Sequence, residues 1–318
     1  MRILPYLYYP EEGVILNAIS AIPSDDNDLV YIMLSSHTDP IGHTVRFPHG
    51  RLSYRGLSKA IKKIVHEVQR RESQGYQEVV LVGTDLQKFG KQKQGLVYLL
   101  QQILKQTNVS RIRLSSLWPT AINLPLINLF KSSPRLCPHF HLSMQSGSDK
   151  VLRQMGRPYT AKKVLQLIKK MRVIPNLYLT ADLIVGFPGE NDKDFSQTIR
   201  FVQAAKLLKI HIFKYSLRPG TRAAKMVNQI PETIKKQRSQ ELSRIGREIS
   251  ERIKQKYLNK TIQILVENQR DLLWTGLTSN YLRVYFRSAK DLKNQLVMAR
   301  LTKLRGEGFY GRIIDYAN

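Results

Sequence analysis

The stretch HFHLSMQSGSDKVLRQMGRPYTAKKVLQLIKKMRVIPNLYLTADLIVG (139–186) contains the pattern that decides the fold. It begins and ends with short apolar runs rich in strand-forming residues, HFHLS (139–143) and YLTADLIVG (178–186). Between them, residues 160–172 repeat apolar positions at helical spacing, and Thr160 stands where an N-cap is expected. A strand, a helix and a second strand in this order predict a βαβ unit with parallel strands.

The same alternation extends in both directions from this unit. Further strand candidates are VYIML (30–34), EVVLVGT (78–84), RIRLSSL (111–117) and IHIFKY (210–215), and further helix candidates are 57–73, 94–106, 121–132 and 192–207, the last with Asn191 as its N-cap. Apolar strands separated by helices predict an α/β fold whose parallel sheet is buried on both faces. The pattern leaves a doubly wound sheet and a full or partial (β/α) barrel as alternatives, and both gather function at the carboxyl ends of the strands.

The two ends of the chain have a different character. Residues 1–29 form an irregular lead-in without periodicity. Residues 231–258 predict a long basic amphipathic helix, opened by Pro231 and Glu232, both favoured in a first turn. Residues 261–318 contain short β-runs split by turns, with no helices between them, which predicts a small antiparallel β-barrel.

Charge and cysteine content limit the possible functions. The 318 residues include 51 Lys and Arg against 24 Asp and Glu, a formal net charge of +27. Such a charge favours a polyanionic partner, nucleic acid first and an anionic membrane surface second. One cysteine excludes an internal disulfide, a CxxC redox pair and an iron–sulfur cluster held by this chain's own thiolates. We expect a cytoplasmic protein, since no signal peptide or membrane-spanning run is visible.

Several long motifs resemble the radical S-adenosylmethionine methylthiotransferase family. They are VVLVGTDLQKFG (79–90), RIRLSSLWP (111–119), HFHLSMQSGSDKVLRQMGRPYT (139–160), TADLIVGFPGENDKDF (180–195) and YSLRPGTRAA (215–224). The stretches HIFKYSLRPGTRAAKM (211–226) and NYLRVYF (280–286) favour the branch that modifies threonylcarbamoyladenosine beside the tRNA anticodon. The resemblance implies an enzyme that adds a methylthio group to this nucleoside of tRNA, with S-adenosylmethionine and a 4Fe–4S cluster as cofactors.

The resemblance also implies a domain organisation. It predicts a lead-in (1–29), a partial (β/α)6 radical-SAM-like barrel (30–224), a basic helical connector (225–260) and an RNA-binding TRAM-like β-barrel (261–318).

Cofactor contacts follow from the motif positions that match the family. At the strand ends, close backbone approach and hydroxyl groups suit a ligand with an amino acid end, a ribose and an adenine. The predicted S-adenosylmethionine contacts are Gly83, Thr84, Asp85, Ser115, Gln145, Ser146, Asp182, Gly186 and Pro188. Glycine and serine at any one strand end are also ordinary turn residues, and only their recurrence favours a ligand site.

The chain departs from the family where the cluster should be bound. The family's three cluster cysteines align with His37, Ile41 and Thr44, none of which is a thiolate. We also expect the family's N-terminal cluster domain to be absent, and Trp118 replaces a family glutamate. We therefore assign no catalytic residue and predict no radical activity from this chain alone, unless a cysteine-bearing partner protein supplies the ligands.

Other residues could serve in place of the missing thiolates. Imidazoles of His37, His43 and His49, with the carboxylate of Asp39, would suit a mononuclear zinc or iron site. We favour histidines facing solvent or phosphate, and predict no metal. For Cys137, we favour a buried structural thiol over a catalytic one.

Tyrosine and arginine side chains predict RNA contacts in two places. Near the end of the sixth strand candidate these are Lys214, Arg218 and Arg222, and in the small barrel they are Tyr281, Arg283, Tyr285 and Arg287. The second set alternates with apolar residues, which in a strand places the rings and guanidinium groups on one face. Such a face can stack bases and neutralise phosphates, although an ordinary solvated strand face gives the same pattern.

Three functional interpretations follow. The chain is a working tRNA methylthiotransferase that obtains its cluster ligands elsewhere, a non-catalytic tRNA-binding protein that retains S-adenosylmethionine binding, or a relic gene product. The long match at the strand-end motifs argues against the third.

Overall fold

A computed structural model describes residues 22–24, 27–33, 35–36, 57–58, 61–82, 86, 89, 95–270 and 273–316 of the chain. The strands of the first part are β1 (Ile22–Ser24), β2 (Asn27–Met33), β3 (Ser35–Ser36), β4 (Leu57–Ser58), β5 (Glu78–Val82), β6 (Arg111–Leu114), β7 (Ser116–Leu117), β8 (His139–Gln145), β9 (Tyr178–Val185) and β10 (Lys209–Lys214). Its helices are α1 (Ile61–Ser73), α2 (Gly95–Gln106), α3 (Leu124–Ser132), α4 (Asp149–Gln154), α5 (Ala161–Met171) and α6 (Asp192–Ala205).

Eight of these strands form two four-stranded sheets, and β3 and β4 form a separate antiparallel pair. One sheet has the order β1-β2-β5-β6 and the other β10-β9-β8-β7. Strands β6 and β7 are consecutive pieces of one predicted strand, interrupted at Ser115. Apart from β1, neighbouring strands in both sheets run parallel, so six strand positions build the partial barrel and confirm the predicted α/β architecture.

The helix boundaries differ from the predictions mainly at N-termini. Helix α1 begins at Ile61 rather than at residue 57, because Leu57–Ser58 pairs with β3 as a short strand. Helix α3 begins at Leu124, where the Asn123 side chain accepts a hydrogen bond from the Leu126 amide. The predicted N-caps Thr160 and Asn191 are both confirmed.

The barrel strands separate an apolar outer face from a polar interior. Phe140, Leu142 and Leu183 are fully buried against the surrounding helices. Because alternate side chains of a strand point to opposite faces, His139, His141, Thr180 and Asp182 face the other way, into the barrel. The interior of this barrel is therefore lined with hydrogen-bonding groups.

A long helix and a closed small barrel follow. Helix α7 (Glu232–Gln255) leads into β11 (Thr261–Arg270), β12 (Leu273–Thr278), β13 (Arg283–Phe286), β14 (Leu296–Arg305) and β15 (Gly308–Tyr316), closed in the order β11-β12-β13-β15-β14. The predicted small β-barrel is confirmed, and its neighbouring strands run antiparallel except for β13 and β15, which run parallel. A closed ring with an odd number of strands cannot alternate direction all the way round, so one parallel pair is unavoidable.

The small barrel covers the N-terminal end of the large one. Arg111 donates to the Leu277 carbonyl at 2.9 Å, and Arg113 donates to the Ser279 carbonyl at 3.1 Å. The Arg113 guanidinium also pairs with the buried Glu78 carboxylate. These contacts join β5 and β6 to the end of β12 and the turn after it, which closes this end of the interior.

Among the described residues, the structure contains no helix that is both long and apolar enough to span a membrane.

Candidate functional site

Part of the predicted site lies outside the described residues. This concerns the predicted cofactor contacts Gly83, Thr84 and Asp85, the cluster positions His37, Ile41 and Thr44, and the alternative metal ligands His43, His49 and Asp39. The predicted contacts at the ends of β6, β8 and β9 are described.

The loop after β9 is held by α7. The Gly186 amide donates to Glu190 Oε2 at 2.6 Å, and the same oxygen accepts from Arg238 Nη1 of α7 at 2.9 Å. Burial raises the pKa of Glu190, against the lowering effect of the Gly186 amide and Arg238. Gly186 has a φ of +72°, and a Cβ there would overlap the Lys235 side chain. The glycine is thus explained by helix packing, and the predicted contact Pro188 is buried in the same loop.

At the end of β8, the predicted cofactor contacts Gln145 and Ser146 differ in exposure. Ser146 is fully buried, and its Oγ accepts from the Ser148 amide at 3.1 Å and lies 3.4 Å from Thr198 Oγ1 of α6. The Ser146 hydroxyl thus faces α6, and its predicted contact with the cofactor stays a prediction. Gln145, with a φ of +72°, and Ser115 are partly exposed, so both remain accessible to a ligand.

Asp182 lies inside the barrel rather than at its rim. Its Oδ1 is 3.0 Å from His141 Nε2 and 3.4 Å from His211 Nδ1, and the three side chains are 12–20% exposed. Burial would raise the pKa of Asp182, but hydrogen bonds from His141 and His211 outweigh it and lower the value to about 2. We did not predict either histidine as a site residue. The alternation within HFHLS and IHIF, which puts them on interior positions, is the signal that would have found them.

The single cysteine lies at the opposite end from the strand termini where cofactors bind in such folds. Cys137 is fully buried, with its Sγ 3.9 Å from Glu78 Oε2. Burial raises the pKa of this thiol to about 12, with Arg113 lowering it and Glu78 raising it. The prediction of a buried cysteine is confirmed. A lone protonated thiol does not fit an iron–sulfur cluster, which needs several thiolates.

The basic residues after β10 lie on the surface. Lys214 Nζ is 3.2 Å from Glu232 Oε2 at the start of α7, and Arg218 and Arg222 are exposed in the following loop. Leu217, which is 56% exposed, lies beside them. The predicted RNA-binding residues Lys214, Arg218 and Arg222 therefore lie on the same surface as the N-terminus of α7.

The small barrel presents an aromatic and basic surface. Leu282, Val284 and Phe286 are buried, whereas Tyr285 is partly exposed and Arg287 is exposed, as the alternation predicts. Arg283 is on the same face but pairs with Glu267 at 2.9 Å.

A stacked cluster extends this surface onto the hairpin of β14 and β15. The Arg305 guanidinium lies 4.6 Å from the ring centres of both Tyr285 and Tyr310. An adjoining cleft of about 600 Å³ is lined by residues that include Phe286, Arg287, Lys290, Tyr310 and Arg312. We did not predict Arg305, Tyr310 or Arg312, which come from the hairpin of β14 and β15, nor Lys290 in the loop after β13.

Tyr281 of the predicted RNA-binding set lies apart from Tyr285, and its contact with RNA stays a prediction. It precedes β13 in a turn with a φ of +76°, and its ring stacks on His139 with 4.2 Å between centroids. The Arg113 guanidinium lies 5.3 Å from the same ring. Tyr281 thus closes the N-terminal end of the large barrel and does not belong to the exposed face of Tyr285.

Residues 43–202, half of the chain, match the model of the Radical SAM superfamily. This chain belongs to the radical SAM superfamily. The match covers the barrel from the segment before β4 to α6, the part that carries most of the interior polar residues and the strand-end loops.

Curated relatives of this radical SAM chain are tRNA methylthiotransferases, which confirms the resemblance seen in the motifs. It is 39% identical over 212 residues to threonylcarbamoyladenosine tRNA methylthiotransferase MtaB of Thermotoga maritima, covering 66% of this chain and 49% of that protein. It is 36% identical over 267 residues to tRNA-2-methylthio-N(6)-dimethylallyladenosine synthase of Natranaerobius thermophilus, covering 81% and 59%. The chain thus spans about half the length of the curated relatives it matches.

A similar solved structure is the radical S-adenosylmethionine methyltransferase TsrM of Kitasatospora setae, at a TM-score of 0.48 and 15% identity, covering 61% of this chain and 38% of TsrM.

Proposed function

We propose that this radical SAM chain binds tRNA, as a methylthiotransferase-type protein directed at threonylcarbamoyladenosine beside the anticodon, and does not generate a radical on its own. The observation that carries the proposal is the cluster of Tyr285, Arg305 and Tyr310 next to the basic cleft of the small barrel. The relatives' names, which specify tRNA, agree with this nucleic-acid surface.

The physical basis for RNA binding is stacking combined with charge. The Arg305 guanidinium lies over both tyrosine rings, and Tyr310 remains 38% exposed. Each base stacked on an exposed ring contributes about 1–3 kcal/mol, and nearby cations neutralise the phosphates. Arg287, Lys290 and Arg312 supply that charge, and Lys214, Arg218 and Arg222 extend it to a second surface.

The proposed lack of independent radical chemistry rests on the thiols. The chain contains one cysteine, and its Sγ is buried beside Glu78. A working enzyme would need thiolates from a cysteine-bearing partner. We propose that S-adenosylmethionine binding is retained at the strand ends, where Ser115 and Gln145 are partly exposed, together with Gly83, Thr84 and Asp85.

RNA binding is tested by measuring the affinity for unmodified tRNA across a salt series. Wild-type protein is expected to bind with a steep salt dependence, because phosphate contacts release counterions. Tyr310→Ala and Arg305→Ala are expected to weaken binding about 10-fold or more. Tyr98→Ala, which removes a tyrosine that is 53% exposed on α2, is the matched control and should bind as the wild type does. A flat salt dependence, or equal affinity of the Tyr310 and Tyr98 variants, would contradict the proposal.

The cofactor part is tested separately. Anaerobic reconstitution followed by iron and sulfide analysis is expected to show no stoichiometric 4Fe–4S cluster, and one cluster per chain would overturn that expectation. Calorimetric titration with S-adenosylmethionine is expected to show one binding site. If millimolar S-adenosylmethionine gives no binding heat, only the RNA-binding function remains. If the protein also fails to bind tRNA, the results favour a relic gene product.

A further inference from the structure

The interior of the large barrel contains a cluster that neither the motifs nor the relatives' names explain. His141 of β8, Asp182 of β9 and His211 of β10 each offer one ligand atom, and these atoms lie within 4.8 Å of one another. His141 Nε2 and His211 Nδ1 approach the same carboxylate oxygen, Asp182 Oδ1. We propose that these three residues bind one divalent transition metal ion, zinc or ferrous iron, inside the barrel.

The spacing of the ligand atoms agrees with a metal centre. Bonds of about 2.0–2.2 Å from a metal to nitrogen or oxygen, at tetrahedral or octahedral angles, place neighbouring ligand atoms about 2.8–3.6 Å apart. The two distances from Asp182 Oδ1, 3.0 Å and 3.4 Å, fall within this range. A carboxylate oxygen can also accept two hydrogen bonds, so the metal titration described below distinguishes a metal centre from a hydrogen-bonded cluster.

The three ligands are held on rigid, neighbouring strands. Asp182 and His211 are direct partners in the register of β9 and β10, and His141 is paired with Thr180 in the register of β8 and β9. Ligands fixed by a sheet bind with little loss of conformational entropy, so the protein does not need to reorganise to accept the ion.

Thr180 supplies the support that a metal-bound histidine needs. Its Oγ1 is 2.7 Å from His141 Nδ1 and 3.0 Å from His139 Nε2. A ligating histidine usually donates its second ring N–H to a neighbouring acceptor, which fixes the tautomer and aims the other nitrogen at the metal. Without a metal, His141 Nε2 hydrogen-bonds to Asp182 Oδ1. In the proposed metal-bound state, Nδ1 donates to Thr180 and Nε2 carries no proton, so the ion replaces that hydrogen bond.

The donor set indicates the class of metal. Two imidazoles and one carboxylate suit zinc or ferrous iron, and neither requires a thiolate. The ligand side chains are 12–20% exposed, so water or a substrate group can reach the remaining coordination positions. The site is therefore of the open type with three protein ligands, and it is separate from the sequence positions aligned with the cluster cysteines.

Metal titration of the full chain tests the proposal. Purified protein is stripped with a chelator and titrated with Co²⁺, whose visible absorption reports nitrogen and oxygen ligands, and then with Zn²⁺ and Fe²⁺ in anaerobic competition. Wild-type protein is expected to bind one equivalent. His211→Ala and Asp182→Asn are expected to lower the affinity at least about 100-fold, and Thr180→Val, which removes only the support, about 10- to 100-fold.

His66→Ala is the matched control, since His66 is exposed on α1, outside the cluster, and its removal should leave the titration unchanged. A rise in melting temperature on adding Zn²⁺, present in the wild type and lost in His211→Ala, gives a second readout for variants that remain folded. If the wild type binds no stoichiometric metal, or if His211→Ala binds as tightly as His66→Ala, the proposal is overturned.

Discussion

Gly186 is required by its neighbour in α7. Its φ of +72° lies in the left-handed region, and a Cβ would overlap the Lys235 side chain, which is only 7% exposed. Lys235 cannot move aside freely, because its Nζ is 2.7 Å from Glu232 Oε1 and 5.4 Å from the centre of the Tyr215 ring. The glycine in the strand-end motif therefore has a packing role that does not depend on a cofactor.

This role predicts a difference between two glycine substitutions. Gly156 has a similar φ of +70°, but a Cβ added there would have nothing within 4 Å. Gly156→Ala is expected to cost about 1–2 kcal/mol of unfolding free energy, the backbone cost alone. Gly186→Ala adds overpacking and is expected to cost about 3 kcal/mol or more. Urea denaturation measures both, and equal losses in the two variants would show that Lys235 packing is unimportant.

At the scale of elements, the start of α6 ties two strand-end loops together. The Asn191 and Asp194 side chains form a reciprocal capping box. Asp194 also accepts from Ser148 Oγ and Lys150 Nζ, both at 2.8 Å, so the loop after β8 is attached to the helix after β9. Burial would raise the pKa of Asp194, but Lys150, the Asn191 amide and Ser148 lower it below its usual 3.8.

Asp194→Asn is expected to reduce the free energy of unfolding by about 1–2 kcal/mol at neutral pH. A carboxylate with a lowered pKa stabilises the fold above its ordinary pKa and loses that effect as the pH falls through the lowered value. The difference in unfolding free energy between wild type and Asp194→Asn should therefore be constant near neutral pH and shrink below about pH 4. Denaturant unfolding at several pH values measures it, with Glu241→Gln on the exposed face of α7 as control. A difference that grows on acidification would refute this assignment.

At the scale of the whole molecule, a buried ion pair of the large barrel holds the arginine that contacts the small barrel. Glu78 and Arg113 are 1% and 4% exposed, and Arg113 also donates to the carbonyls of Thr278 and Ser279. Tyr281 packs against the same guanidinium and against His139. Docking of the small barrel thus depends on polar groups that are buried at this closed end.

Arg113→Met is expected to lower the free energy of unfolding by about 3–5 kcal/mol, because it leaves the Glu78 charge buried without its closest partner. The double variant that also carries Glu78→Gln should regain most of the lost free energy of unfolding, because the poorly compensated charge is then removed. Hydrogen exchange should show faster opening of β12 in Arg113→Met than in Arg153→Met, which changes an exposed arginine of α4. Unchanged exchange in β12 would mean that the small barrel docks without this pair.

Much of the fold could be predicted because its signals are local. The Thr160 and Asn191 side chains accept hydrogen bonds from amides three residues away, and the apolar residues of β8 and β9 indicate that these strands are buried. The site was less predictable. The sequence predicts Ser146 at the rim, but its side chain packs on Thr198. It predicts Tyr281 on the stacking face of a strand, but the ring packs on His139. Both positions depend on partners far along the chain.

The sequence by itself determined the order of strands and helices, the positive charge and the lone cysteine, since composition and short-range periodicity are properties of the chain. Its motifs carried the resemblance to the methylthiotransferase family. Only the tertiary structure decided that His141, Asp182 and His211 meet, and that Arg305 lies between Tyr285 and Tyr310. The physical reason is that these groupings arise from strand register and barrel closure, which depend on contacts between distant segments.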